Sequence, residues 1–275
     1  MSHTIKLTAI AILCFVFASA ESGFAEELKK YAWEAGPEIS YFAYEEPHFA
    51  ETRGFLLGLA GSFTYHDNLM LKAEGRFSYG SLYYTSPDSG TMENIPDYIW
   101  EFRGLAGYDF SLQTGSILTP YIGIGYRYLN DNSAGKVTSL GALGYERESN
   151  YYYSPVGIKF NTNSKTGWST EATAEYDIFW RGKQVSHLGD VIPGVTDIDN
   201  AQKRGYGLRG SVAFQTKASD LDYAIEPFIR YWNIKDSERV PVFDATTLLC
   251  GAEVCEGLEP ANHSTEYGIN FLVRF

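Results

Sequence analysis

The run Glu266–Tyr267–Gly268–Ile269–Asn270–Phe271–Leu272–Val273–Arg274–Phe275 alternates from end to end. Tyr267, Ile269, Phe271, Val273 and Phe275 fall on one side; Glu266, Gly268, Asn270, Leu272 and Arg274 fall on the other. A period of two is the mark of a β-strand. Its first face is wholly apolar, and its second is small or polar except for Leu272. Nine further runs show the same alternation, near residues 39–43, 55–65, 69–79, 98–110, 118–128, 152–160, 168–180, 206–214 and 223–231.

Within these runs the rings gather at the ends and small or aliphatic residues lie between. The fourth run reads Trp100, then Gly104 and Ala106, then Tyr108 and Phe110. A water-soluble sandwich has no use for rings at both ends of an exposed face, whereas two aromatic girdles around an apolar band about 25 Å tall require them. The composition agrees: aromatics make up 16% of the chain, with 21 Tyr and 27 Gly. No stretch reaches the roughly 18 uninterrupted apolar residues of a membrane helix, and mean hydropathy is −0.22.

At the other end, Lys6 precedes an apolar run from Leu7 to Phe17, followed by Ala18, Ser19 and Ala20. This reads as a secretory signal peptide occupying residues 1–25, cleaved after Ala20 or after Ala25. The run is too short to span a bilayer core of about 30 Å. Cys14 is preceded by Leu13 rather than the small residue a lipoprotein signal needs. Residues 26–275 form one barrel domain, with Glu26–Trp33 as a lead-in.

The connections alternate in length. His66–Asn68, Ser111–Ser116, Asn161–Thr166 and Lys217–Asp222 are short and rich in turn residues. Glu45–Glu51, Ser86–Asp97, Asn130–Glu148, Arg181–Arg204 and Lys235–His263 are long. The terminal run, the girdles and this alternation together resemble small bacterial outer-membrane β-barrels of Gram-negative type. The resemblance implies an up-and-down antiparallel transmembrane barrel of about ten strands, with short periplasmic turns and long extracellular loops. It implies that both termini are periplasmic, and that Tyr267, Ile269, Phe271, Val273 and Phe275 serve as the signal read by the barrel-assembly machinery. Outer-membrane lipid and lipopolysaccharide are then the surroundings.

The faces opposite the apolar ones carry Glu38, Lys72, Glu74, Arg76, Glu101, Arg103, Asp109, Arg127, Lys159, Glu171, Glu175, Asp177, Arg209, Glu226, Arg230, Glu266 and Arg274. Toward lipid each charge costs about 2–4 kcal/mol at the midplane, so these belong inside. Nine acids meet eight bases, which predicts cross-barrel pairing rather than an ion-selective pore. Tyr121, Phe228 and Trp232 point inward on the same phasing. Barrels of about eight strands are filled by side chains, so the expected lumen is largely filled; a narrow channel for small solutes is the alternative.

Net charge is −12, which argues against a nucleic-acid partner. The long loops are acidic and are the expected contact for an extracellular ligand of unknown identity. After the signal only Cys250 and Cys255 remain; in an exported chain such a pair is expected to form a disulfide. No metal site and no cofactor motif is present. Ten-stranded outer-membrane barrels include the omptin proteases, which use two aspartates and an Asp/His pair on facing loops. Here Asp197, Asp199 and His187 share one loop, and the second loop offers Asp97 without a paired aspartate. A lipid-A-modifying site would need a Ser–His pair, but His263 and Ser264 are adjacent in a strand and face opposite ways. The expected role is therefore structural or surface-binding, with a narrow channel and a loop-sited hydrolase as the rivals.

Overall fold

A computed structural model describes residues 29–112, 115–163, 167–218, 221–242 and 255–275. The signal segment and Cys250 lie outside the described residues, and of Cys255 only the backbone is described. Ten long strands form the wall: β1 Tyr31–Glu46, β2 Ala50–Asp67, β3 Leu69–Ser86, β4 Gly90–Tyr108, β5 Ile117–Asn132, β6 Glu146–Asn163, β7 Trp168–Ser186, β8 Gly205–Ala218, β9 Leu221–Ile234 and β10 Asn262–Arg274. Each pairs antiparallel with its neighbours in sequence, and β10 returns to β1, which closes the sheet into a barrel. At the seam Ile39 faces Ile269 and Tyr41 faces Tyr267. It ends in a reciprocal pair, with the N–H of Trp33 donating to the carbonyl of Phe275 and that of Phe275 to Trp33, both at 3.0 Å.

The two faces of the wall separate by chemistry. Outside, Leu57, Leu59, Ile122, Ile124 and Ile269 form the middle of the band and are exposed. On one rim rings touch around the wall: Tyr41 lies 5.2 Å from Phe55 and 5.5 Å from Tyr267, Tyr98 lies 5.8 Å from Tyr128, and Tyr206 lies 6.2 Å from Tyr231. On the other rim Trp33 and Phe63 stand 4.5 Å apart and Tyr108 and Phe110 4.9 Å. Phe275 belongs to this second row and is exposed. Such an unbroken apolar belt has no place in water.

The strands outrun that belt. β4 has 19 residues, about 60 Å of extended chain, far more than a tilted crossing of a band about 25 Å tall. Two connections expected to be long are therefore tight turns of three residues, at 47–49 and 87–89. Most of the span from Ser86 to Asp97 is β-ladder, since Gly90 pairs with Ser86 and Asp97 with Gly80. Apolar periodicity of the outer face stops where lipid stops; backbone pairing continues beyond it, with Met92 and Ile95 still buried on the inner face. The lead-in is likewise shorter than expected, with β1 starting at Tyr31. On the short-turn end, Asn68 alone links β2 to β3 at φ 57°, a left-handed geometry that asparagine tolerates.

Candidate functional site: the charge-filled lumen

The inward residues stack in layers along the barrel axis. The central layer is built on Arg76 of β3. Its guanidinium donates to Glu101 at 2.9 Å, to Glu38 at 2.8 Å and in bidentate fashion to Glu266 at 2.8 Å. Arg230 closes the cluster from β9, reaching Glu38 at 2.8 Å and Glu266 at 3.3 Å. Ser78 donates to Glu38 at 2.8 Å and Ser40 to Glu266 at 2.9 Å. Across the lumen Arg209 binds Asp177 at 2.7 Å, Glu175 at 3.2 Å and also Glu101. Arg103 binds Glu175 at 2.5 Å and also Glu74. Strands β1, β3, β4, β7, β8, β9 and β10 are thus cross-linked through one layer. Glu38, Arg76, Glu101, Glu175, Asp177 and Glu266 are buried, Glu38 1% exposed and Asp177 0%, while Arg103, Arg209 and Arg230 are half-buried. Buried ions are tolerable only when paired and further hydrogen-bonded, and the serines and Tyr153, which donates to Glu101 at 2.6 Å, supply those extra bonds.

Above it lies an apolar layer. Tyr151, Tyr153, Phe179, Trp232 and Ile234 pack together on one side, and Phe42, Leu56, Leu82, Ile99 and Leu129 on the other. Tyr153 is fully buried and meets Trp232 edge-on at 5.0 Å. Gly125 makes room for it: a Cβ there would lie 2.2 Å from the Tyr153 ring. Below the charged layer is a cavity of about 140 Å³, lined by Lys72, Glu34, Lys159, Glu171, Glu226 and Arg274 among others. Lys72 bridges Glu74 at 2.8 Å and Glu34 at 3.5 Å, Lys159 meets Glu171 at 3.2 Å, and the Nε of Arg274 donates to Glu34 at 2.6 Å.

Three inward charges stand apart. Asp109 accepts from Thr119 at 2.6 Å and contacts His66 at 2.7 Å at the short-turn rim. Arg127 lies 5.5 Å from the centre of the Tyr151 ring, and no carboxylate pairs with it among the described residues. Glu226 has Asn270 at 3.4 Å instead of a cation. Sequence periodicity missed others. Glu34 falls between the lead-in and the first alternating run, outside both. Arg147 binds Glu46 at 2.5 Å and Glu259 at 2.7 Å, with Tyr44 donating to both at 3.0 Å. This second ion cluster lies beyond the aromatic row, where no apolar partner face marks a strand. The alternation Arg147, Ser149, Tyr151, Tyr153 was its visible trace.

The omptin-like elements are rearranged. His187 and Asp197 meet at 3.0 Å, with Glu148 at 3.6 Å on the other side of the ring. Burial disfavours the charged imidazole, but the Asp197 hydrogen bond and the charges of Asp197, Glu148 and Glu146 outweigh it and raise the His187 pKa. Asp199 turns away to Lys183 at 2.9 Å. Asp97 does have an aspartate beside it, because β4 and β5 place Asp131 directly across the ladder. Asp97 is only 1% exposed, however, and borders a void of about 10 Å³.

No family model and no curated protein matches this sequence. Among solved structures, the outer membrane protease OmpT from Escherichia coli is similar with a TM-score of 0.58 at 9% identity, over 89% of this chain and 95% of that one. The translocator domain of autotransporter NalP from Neisseria meningitidis gives 0.40 at 12% identity, over 97% of each chain. Neisserial surface protein A gives 0.36 at 10% identity, over 91% of this chain and all of its own. The chain has the fold of a small outer-membrane β-barrel. That barrel fold fixes which face meets lipid; at 9% identity it assigns no activity.

Proposed function

We propose that the protein is a sealed surface barrel of the outer membrane, which presents its long-loop rim to an extracellular ligand and conducts nothing through its lumen. The observation that carries this is the pair of stacked layers, the Arg76 ion cluster and the Tyr153–Trp232 apolar layer, in which Glu38, Ile99 and Tyr153 are at most 1% exposed. In this reading both termini and the short turns are periplasmic, and the assembly machinery reads the terminal strand. Loop segments on the outer rim are organised enough to serve as a binding surface: Val240–Val242 pairs with Cys255–Gly257, and Asn200 donates to the carbonyl of Glu238 at 3.1 Å.

Planar-bilayer recordings of the refolded full chain test it directly. The expected record is flat at voltages where porins conduct; reproducible unitary steps would install the channel reading instead. An epitope inserted in the 87–89 turn is expected to be reachable by antibody on intact cells, which tests the orientation.

A further inference from the structure

One sector of the outer wall is chemically unlike the rest. On β7, Arg181 stands opposite Tyr152, with its guanidinium 4.8 Å from the centre of that exposed ring. Tyr206 is in register with Ile178 on β7 and Asn233 on β9, so Arg204, two residues beyond Tyr206, comes level with Trp180. Lys235 continues the same ladder, its N–H donating to the Arg204 carbonyl at 2.9 Å. Arg181, Arg204 and Lys235 are all exposed, and among the described residues no carboxylate pairs with them. The neighbouring lysines are committed elsewhere, Lys183 to Asp199 at 2.9 Å and Lys203 to Glu238 at 2.6 Å. The opposite sector, β1 to β4, carries Glu45, Glu51, Asp88 and Glu93 beyond its aromatic row, and the one arginine there, Arg53, is tied to Glu51 at 3.0 Å.

Among the described residues these three cations, in a row just beyond an aromatic girdle, carry no ion pair, and only Arg181 has a ring contact, with Tyr152. At the girdle edge lipid headgroups meet the wall, and here Trp180 lies level with Arg204 while Tyr206 is two residues nearer the acyl chains. We propose that Arg181, Arg204 and Lys235 form a site for the phosphate groups of outer-leaflet glycolipid. The guanidinium fork matches a phosphate in two parallel hydrogen bonds, and Lys235 adds a point charge. Stacking on Tyr152 holds the Arg181 plane in place, which reduces the ordering cost of binding. The assignment to the outer leaflet rests on the orientation proposed above.

The test uses the full chain refolded in detergent micelles and three probes: bisphosphorylated lipid A, dephosphorylated lipid A and inorganic phosphate, with binding read by native mass spectrometry. The wild type should prefer the bisphosphorylated lipid, and the triple variant Arg181→Gln, Arg204→Gln, Lys235→Gln should bind it about tenfold more weakly or worse. Arg53→Gln, on the acidic sector, should bind as the wild type does. Retained heat-modifiable migration shows that each variant is folded. Equal binding by the triple variant overturns the site. Equal binding of dephosphorylated lipid, or displacement by inorganic phosphate at millimolar concentration, overturns its assignment to lipid phosphate. Should the 87–89 epitope be hidden on intact cells while micelle binding follows the expected pattern, the orientation fails and the outer-leaflet assignment falls with it.

Discussion

Arg76 and Arg209 each hold three carboxylates, and those on Arg76 come from three different strands, β1, β4 and β10. Replacing Arg76 by Met keeps the stem and leaves each of those acids short of one of its cations. A broken buried pair costs about 3–5 kcal/mol, so Arg76→Met should lower unfolding stability by that amount in urea titrations of the micelle-bound protein. Adding Glu266→Gln should return part of it, since one of the stranded charges is then gone. Gly125→Val makes a steric prediction: its side chain would occupy the position of the Tyr153 ring, and overpacking of this kind costs about 1–3 kcal/mol. His187 supplies the pH dependence. Its folded pKa is raised, so the stabilisation it contributes is fully present below the pKa of an unfolded histidine and is lost as pH rises through the folded value. Nuclear magnetic resonance of its ring protons should show a midpoint above that of a free histidine, and Asp197→Asn should bring it down; an unmoved midpoint would remove Asp197 as the cause.

At the level of elements, the terminal strand makes the clearest forecast. Phe275 closes the seam with Trp33 and completes the lower aromatic row, so deleting it should cut incorporation into cellular outer membranes several-fold. Refolding into micelles, where no machinery reads the strand, should be affected far less. Immunoblots of membrane fractions against refolding yields separate the two. The ten strands and the inward set were legible in the sequence because lipid enforces one strict rule on one face: apolar at every second residue. The true strand ends were not. Above the belt, along Gly90–Asp97 and Glu146–Tyr151, the outer face meets water instead of lipid, so nothing holds it apolar and the period that lipid enforces is lost although Ile95 and Tyr151 are buried on the inner face. For the same reason the Arg147 cluster and the Asp97–Asp131 neighbours were hidden. Pairing partners in the lumen were hidden too, because Arg76 and Glu266 are 190 residues apart in sequence and meet only through closure of the barrel.

On the reading proposed above, the whole molecule is a plugged cylinder whose plug is made of two unlike materials. Removing charge alone should leave the apolar layer in place, and removing rings alone should leave the ion layer. Only a combined change, Arg76→Ala with Tyr153→Ala and Trp232→Ala, is expected to give unitary steps in planar bilayers; steps from Arg76→Ala alone would show that the apolar layer does not seal. The seam between β1 and β10 has a further consequence, for timing. Neighbouring hairpins can form as soon as their residues exist, but the last pair of edges cannot be joined until Arg274 and Phe275 have emerged. Until then the growing chain carries two unsatisfied strand edges, each a template for pairing with another copy. Such a protein cannot finish folding in transit. If it reaches the outer membrane by the periplasmic route proposed above, a shortage of periplasmic escort should appear first as aggregates of full-length, unclosed chain.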